Sequence, residues 1–121
     1  MYLEVSNWID HALSQDIPKD VAAFCFNLYE DMNDEWSMEI VGAARFDLID
    51  EDWPCDEVTT FGTREGLLAW QKVTTWDTVL AEMVSVLKEY LEHGKYAAVL
   101  KSTAGVGVGF VDGNIEILYH K

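Results

Sequence analysis

Carboxylates are the most abundant side chains in this sequence that could do chemistry, and they are unevenly placed. Between Glu30 and Glu57 stand 11 acids, opposed only by Arg45. Residues 1–62 carry 15 Asp and Glu against 2 Lys and Arg, whereas residues 63–121 carry 7 against 6. Nearly all of the net charge of −14 therefore belongs to the first half. Like charges repel, so a compact fold gains no stability from such crowding, whereas a basic partner steered by the field does gain from it. Solubility draws on the same charge, and the sequence leaves open whether the acids share one face.

Other constellations carry less. Registered from Asp50 as a calcium loop, the segment 50–57 leads to Cys55 where glycine is required and Phe61 where a bidentate glutamate is required. Gly105, Gly107 and Gly109 alternate with Val106, Val108 and Phe110. A phosphate-binding glycine loop must lead into a helix, and this run leads into a hairpin, so it reads as a strand with one bare face. Cys55 lies among Asp52, Asp56 and Glu57, whose charge disfavours a thiolate, and Cys25 reads as a small core residue. His11, His93 and His120 are scattered without partners at metal-ligand spacing. No catalytic set, metal site or cofactor is nominated.

The remaining constellation joins acids to aromatics, the composition of protein-binding hot spots. The expected binding face comprises Glu30, Asp31, Asp34, Glu35, Asp47, Asp50, Glu51, Asp52, Asp56 and Glu57, with Tyr29 and Trp53 as anchors. Trp36 lies on the apolar face of a strand pattern and is expected in the core.

Hydrophobic periodicity supplies the elements that must position these residues. Spacings of three and four over residues 2–15 predict an amphipathic helix ended by Ile17-Pro18. Residues 21–30 predict a strand, the acidic stretch 31–35 a turn, and the period-2 run 36–48 a second strand. An acidic loop over 49–57, a short strand over 57–61 and a short helix over 64–72 follow. From Thr74 a long helix runs to about His93, expected to bury Trp76, Val79, Leu80, Met83, Leu87, Tyr90 and Leu91. The last third predicts strands over 96–102, 105–111 and 114–119, the last two joined at Asp112-Gly113. The sum is a single α+β domain over residues 1–121, an antiparallel sheet packed against an N-terminal helix and a long central helix.

Half of the residues are hydrophobic, enough for a core in 121 residues and too many for a disordered chain. Phosphate affinity needs clustered Lys and Arg, so nucleic acid and anionic membranes are disfavoured partners. The sequence shows no signal peptide and no apolar run of membrane-spanning length, which gives the expectation of a soluble, cytoplasmic protein. In size, acidity, aromatic content and the strand–Asp-Gly–strand ending from Val108 to Glu116, the chain resembles the immunity proteins of bacterial toxin systems. That resemblance implies a non-enzymatic inhibitor that neutralises a basic cognate toxin, often a nuclease. The alternative is a small-molecule-binding or enzymatic domain with a pocket near strand 105–109. A homo-oligomer paired through the strand Ile115–Tyr119 is possible but not indicated.

Overall fold

The first helix, α1 (Tyr2–Leu13), forms where the apolar spacing places it and buries Val5, Ile9, Ala12 and Leu13. The computed structural model describes residues 1–121. Strands β1 (Ala23–Glu30) and β2 (Glu35–Ala43) pair antiparallel, from Ala23 opposite Ala43 to Glu30 opposite Trp36. Their turn depends on Asn33 and Asp34, with φ of 61° and 60°, in the left-handed region that short polar side chains tolerate best after glycine. The Glu35 amide closes it by donating to the Met32 carbonyl at 3.2 Å.

The chain continues through β3 (Glu57–Gly62), β4 (Leu68–Gln71), α2 (Trp76–His93), α3 (Ala97–Lys101), β5 (Gly105–Phe110) and β6 (Glu116–His120). The six strands form one sheet in the order β3-β2-β1-β5-β6, with β4 also paired to β2. The fold is thus α+β, with the expected first and long helices. No helix is long and apolar enough to cross a membrane.

Several expectations are corrected. The sheet is mixed rather than antiparallel, because β5 runs parallel to β1. The crossover containing α2 and α3 returns the chain in the direction of β1, and alternation of side chains reads the same for either direction. Residues 64–72 give a strand, β4, whose backbone extends the edge of β2, instead of a helix. Residues 96–102 give the short helix α3 instead of a strand. The strand predicted over 36–48 ends at Ala43, where Ala44 turns away and donates its amide to the Asp56 carbonyl at 2.7 Å.

The two faces of the sheet are covered differently. Phe24, Phe26, Leu28, Trp36, Met38 and Ile40 face α1 and α2, and meet Val79, Met83, Leu87 and Tyr90 in the main core. Tyr90 also donates its hydroxyl to Asp10 Oδ1 at 2.7 Å, tying α2 to α1. On the opposite face Ala23, Cys25, Val41 and Ala43 are covered by Trp53 and Phe46, which belong to the loop between β2 and β3. Both faces of β2 are therefore buried, including the one that carries Ser37, Glu39 and Val41.

Candidate functional site

The acids of the β1–β2 turn stand free. Glu30, Asp31, Asp34 and Glu35 are all exposed, and none of their carboxylates makes an ion pair or hydrogen bond within the chain. They are held at one end of the sheet by the tight turn described above.

Beside this turn a groove of about 810 Å³ opens, at the end where the parallel strands β1 and β5 finish and α2 begins. Leu28, Tyr29, Glu30 and Asp31 form one wall, and Phe110 through Asn114 with Glu116 form another. Trp76 and Leu80, from the first turns of α2, close the third side. Four carboxylates thus line the groove (Glu30, Asp31, Asp112 and Glu116), and no Lys, Arg or His does. Trp76 is 57% exposed, which corrects the expectation that it lies in the core. Its ring stands edge-on to Phe110 at 6.2 Å, and Phe110 stands edge-on to buried Trp36 at 6.1 Å. An aromatic chain therefore runs from the core to the mouth of the groove. Trp36 is in the core, as expected.

The acids of the second cluster are mostly occupied within the fold. Arg45 pairs with both Asp50 and Asp56. Asp47 accepts the amides of Ile49 and Asp50 at 2.8 and 3.0 Å, which together hold its carboxyl below the usual aspartate range. Asp50 also accepts the Asp52 amide at 3.0 Å. Glu51 accepts the Ile115 amide at 3.2 Å, anchoring the loop to the β5–β6 turn. Glu57 accepts from Arg64 at 2.7 Å. Only Asp52 offers a carboxylate without an internal partner.

Trp53, expected as a partner-binding anchor, is fully buried and so offers no surface to a partner, which is a correction. Its ring packs edge-on to Phe46 at 5.0 Å over the bare face of β5. A Cβ on Gly107 would lie 3.1 Å from the Trp53 ring and 2.8 Å from Ile115 Cγ2, and one on Gly105 would overlap Phe46. The glycines let this loop lie against the sheet, and Phe46, Trp53 and Ile115 fill the space considered for a pocket. The open groove begins beyond Gly109.

A polar cluster joins the two acidic regions. Glu39, only 3% exposed, accepts hydrogen bonds from the Tyr29 hydroxyl and, at 3.4 Å, from Asn27 Nδ2. Arg64 Nε lies 3.5 Å from its other oxygen. A buried carboxylate needs such donors to replace water. Burial, and then Glu39, push the Tyr29 phenol well above its ordinary value. Cys25 Sγ donates to Asn27 Oδ1 at 3.4 Å, and burial pushes its thiol up to about 12. Sequence reasoning missed Glu39 and Arg64; the alternation of Glu39 with Met38 and Ile40 was the available signal, but alternation does not show that the face bearing Glu39 is also covered. Elsewhere, no group of three or more His, Cys, Asp or Glu converges in a metal-holding arrangement.

No known protein family, curated protein or solved structure matches this chain.

Proposed function

We propose that this chain is an acidic protein-binding module, and that it acts as an immunity protein of a bacterial toxin system that neutralises a basic toxin of the nuclease type. One observation carries the reading: four exposed turn carboxylates without internal partners adjoin a groove lined by further acids and an exposed tryptophan. A nuclease must present Lys and Arg to phosphate, and an inhibitor that presents carboxylates is complementary to that surface. Unpaired acids on a tight turn have a held backbone and no internal competitor for a partner's cations. Their field raises the encounter rate at low salt, which matters when a toxin must be caught before it acts.

Expression beside a toxin gene from the same bacterial locus tests the function directly. Restored growth, with inhibition of the purified toxin at equimolar amounts and a steep fall of association rate with salt, is the expected result. A toxin whose activity is untouched by saturating amounts of the chain would overturn it.

A further inference from the structure

The groove beside the turn contains more than charge. Trp76 presents a large aromatic surface on the first turn of α2, and its orientation is fixed by the edge-on contacts to Phe110 and, through it, to Trp36. Val111, 57% exposed, adds an apolar patch on the facing wall. Around these lie Glu30, Asp31, Asp112 and Glu116, with no cation among the lining residues. The N-terminus of α2 contributes partial positive charge nearby, and Asp77 in that first turn opposes it. The Asp77 carboxyl is held below its usual range by the Thr75 hydroxyl and by the amides of Asp77 and Thr78.

An aromatic ring in a groove lined by carboxylates suits one kind of side chain above others. Guanidinium is planar, weakly hydrated and able to stack on indole while its edge donates to carboxylates. Ammonium is compact and strongly hydrated, and gains less from the ring. The volume of about 810 Å³ lies in the range that accepts a drug-sized ligand, so a short segment fits and a whole protein face does not.

We propose that this groove receives an arginine-bearing loop of the basic protein partner, with the guanidinium stacked on Trp76 and its donors directed to the Glu30, Asp31, Asp112 and Glu116 carboxylates. The inference rests on the binding-module reading and adds to it the chemistry of the segment recognised.

The test uses the full chain and three capped pentapeptides, Gly-Arg-Leu-Arg-Gly and its lysine and citrulline counterparts, titrated at low salt by calorimetry, with backbone amide resonances of Phe110–Asn114 reporting the site in every variant. The arginine peptide is expected to bind more tightly than the lysine peptide, and the neutral citrulline peptide to bind weakest. Trp76→Ala is expected to weaken the arginine peptide by about 2- to 30-fold, the span of cation–π strengths, with Trp76→Phe in between. The Glu30→Gln, Asp31→Asn pair should weaken it and flatten its salt dependence, whereas Glu89→Gln on the exposed side of α2 should not. Equal affinity for arginine and citrulline peptides, or no effect of Trp76→Ala in a variant with an intact fold by amide spectra, would overturn the proposal. Persistent capture of a toxin by Trp76→Ala at unchanged affinity would remove this inference and leave the binding-module reading. Arginine-selective peptide binding without any effect on a toxin would do the reverse.

Discussion

The turn over residues 30–35 and the loop over residues 47–57 look alike in sequence, both short, acidic and next to a tryptophan. In the fold they are opposites. The loop spends its carboxylates inward: on Arg45, on its own amides, on Ile115 and on Arg64. It also buries its tryptophan against the glycine face of β5. The turn spends none of its four, and its own neighbour, Trp36, anchors an aromatic chain that emerges at Trp76. Charge density alone does not separate the two regions; whether the carboxylates have internal partners does, and the proposed binding face rests on the ones that have none.

The sharpest way to break the comparison is to remove the loop's anchor. Trp53→Ala should destabilise the fold by about 3–5 kcal/mol, the usual cost of truncating a fully buried aromatic, measured by urea unfolding. A loss below about 1 kcal/mol would mean the loop is not built into the core as described. Tyr29 sits between the two regions and separates structure from binding. Tyr29→Phe removes a donor to buried Glu39 and leaves the groove's carboxylates and Trp76 in place, so about 1.5–3 kcal/mol of stability should be lost while peptide affinity holds. An affinity loss matching the stability loss would give the hydroxyl a role in binding instead.

Smaller effects appear with pH. The Cys25 thiol is raised from 9.0 to about 12 by burial, and Tyr29 and Tyr90 are raised above the ordinary phenol range. In each case the folded state keeps a proton that the unfolded chain has lost, so stability is full below pH 9 and falls as pH rises toward 12. Unfolding midpoints that stay flat across this window would contradict the buried cluster. The same burial predicts that a thiol reagent in mild alkali modifies exposed Cys55 and spares Cys25 until the chain unfolds. The smallest change is expected from Asp47→Asn, which weakens two exposed amide contacts and should loosen the loop, seen as faster hydrogen exchange at Ile49 and Asp50.

Much of the fold was legible, and most of the failures are long-range facts. The helices α1 and α2, the β1–β2 hairpin and the strand at Gly105–Phe110 follow from periodicity and from turn residues, which are local signals. The parallel pairing of β1 with β5 is a long-range fact that alternation does not encode. Residues 68–71 become a strand by pairing along β2, a long-range contact, whereas the helix over 97–101 agrees with the local preference of Ala97, Ala98, Leu100 and Lys101, which five residues are too few to make decisive. At the candidate site, charge alone singled out Glu30 and Asp31 together with the loop acids, and it held no signal for which carboxylates the fold leaves without partners. Trp53 and Trp76 were misplaced in opposite directions, the loop residue buried and the helix residue exposed. Burial of a single aromatic depends on what the rest of the chain brings to it: Phe46 and the glycine face for one, an open end of the sheet for the other.

The most direct measurement sets the two acidic regions against each other. The association rate with the proposed basic partner should be followed as a function of salt for two variants of matched charge change: Glu30, Asp31, Asp34 and Glu35 reversed to Lys, and Asp47, Asp50, Glu51 and Asp56 reversed to Lys. The turn variant is expected to keep its fold, lose at least about tenfold in association rate at low salt and show a flattened salt dependence. The loop variant is expected to lose stability first and, where still folded, to associate faster than the turn variant. Equal losses of rate from two folded variants would contradict the assignment of binding to the turn.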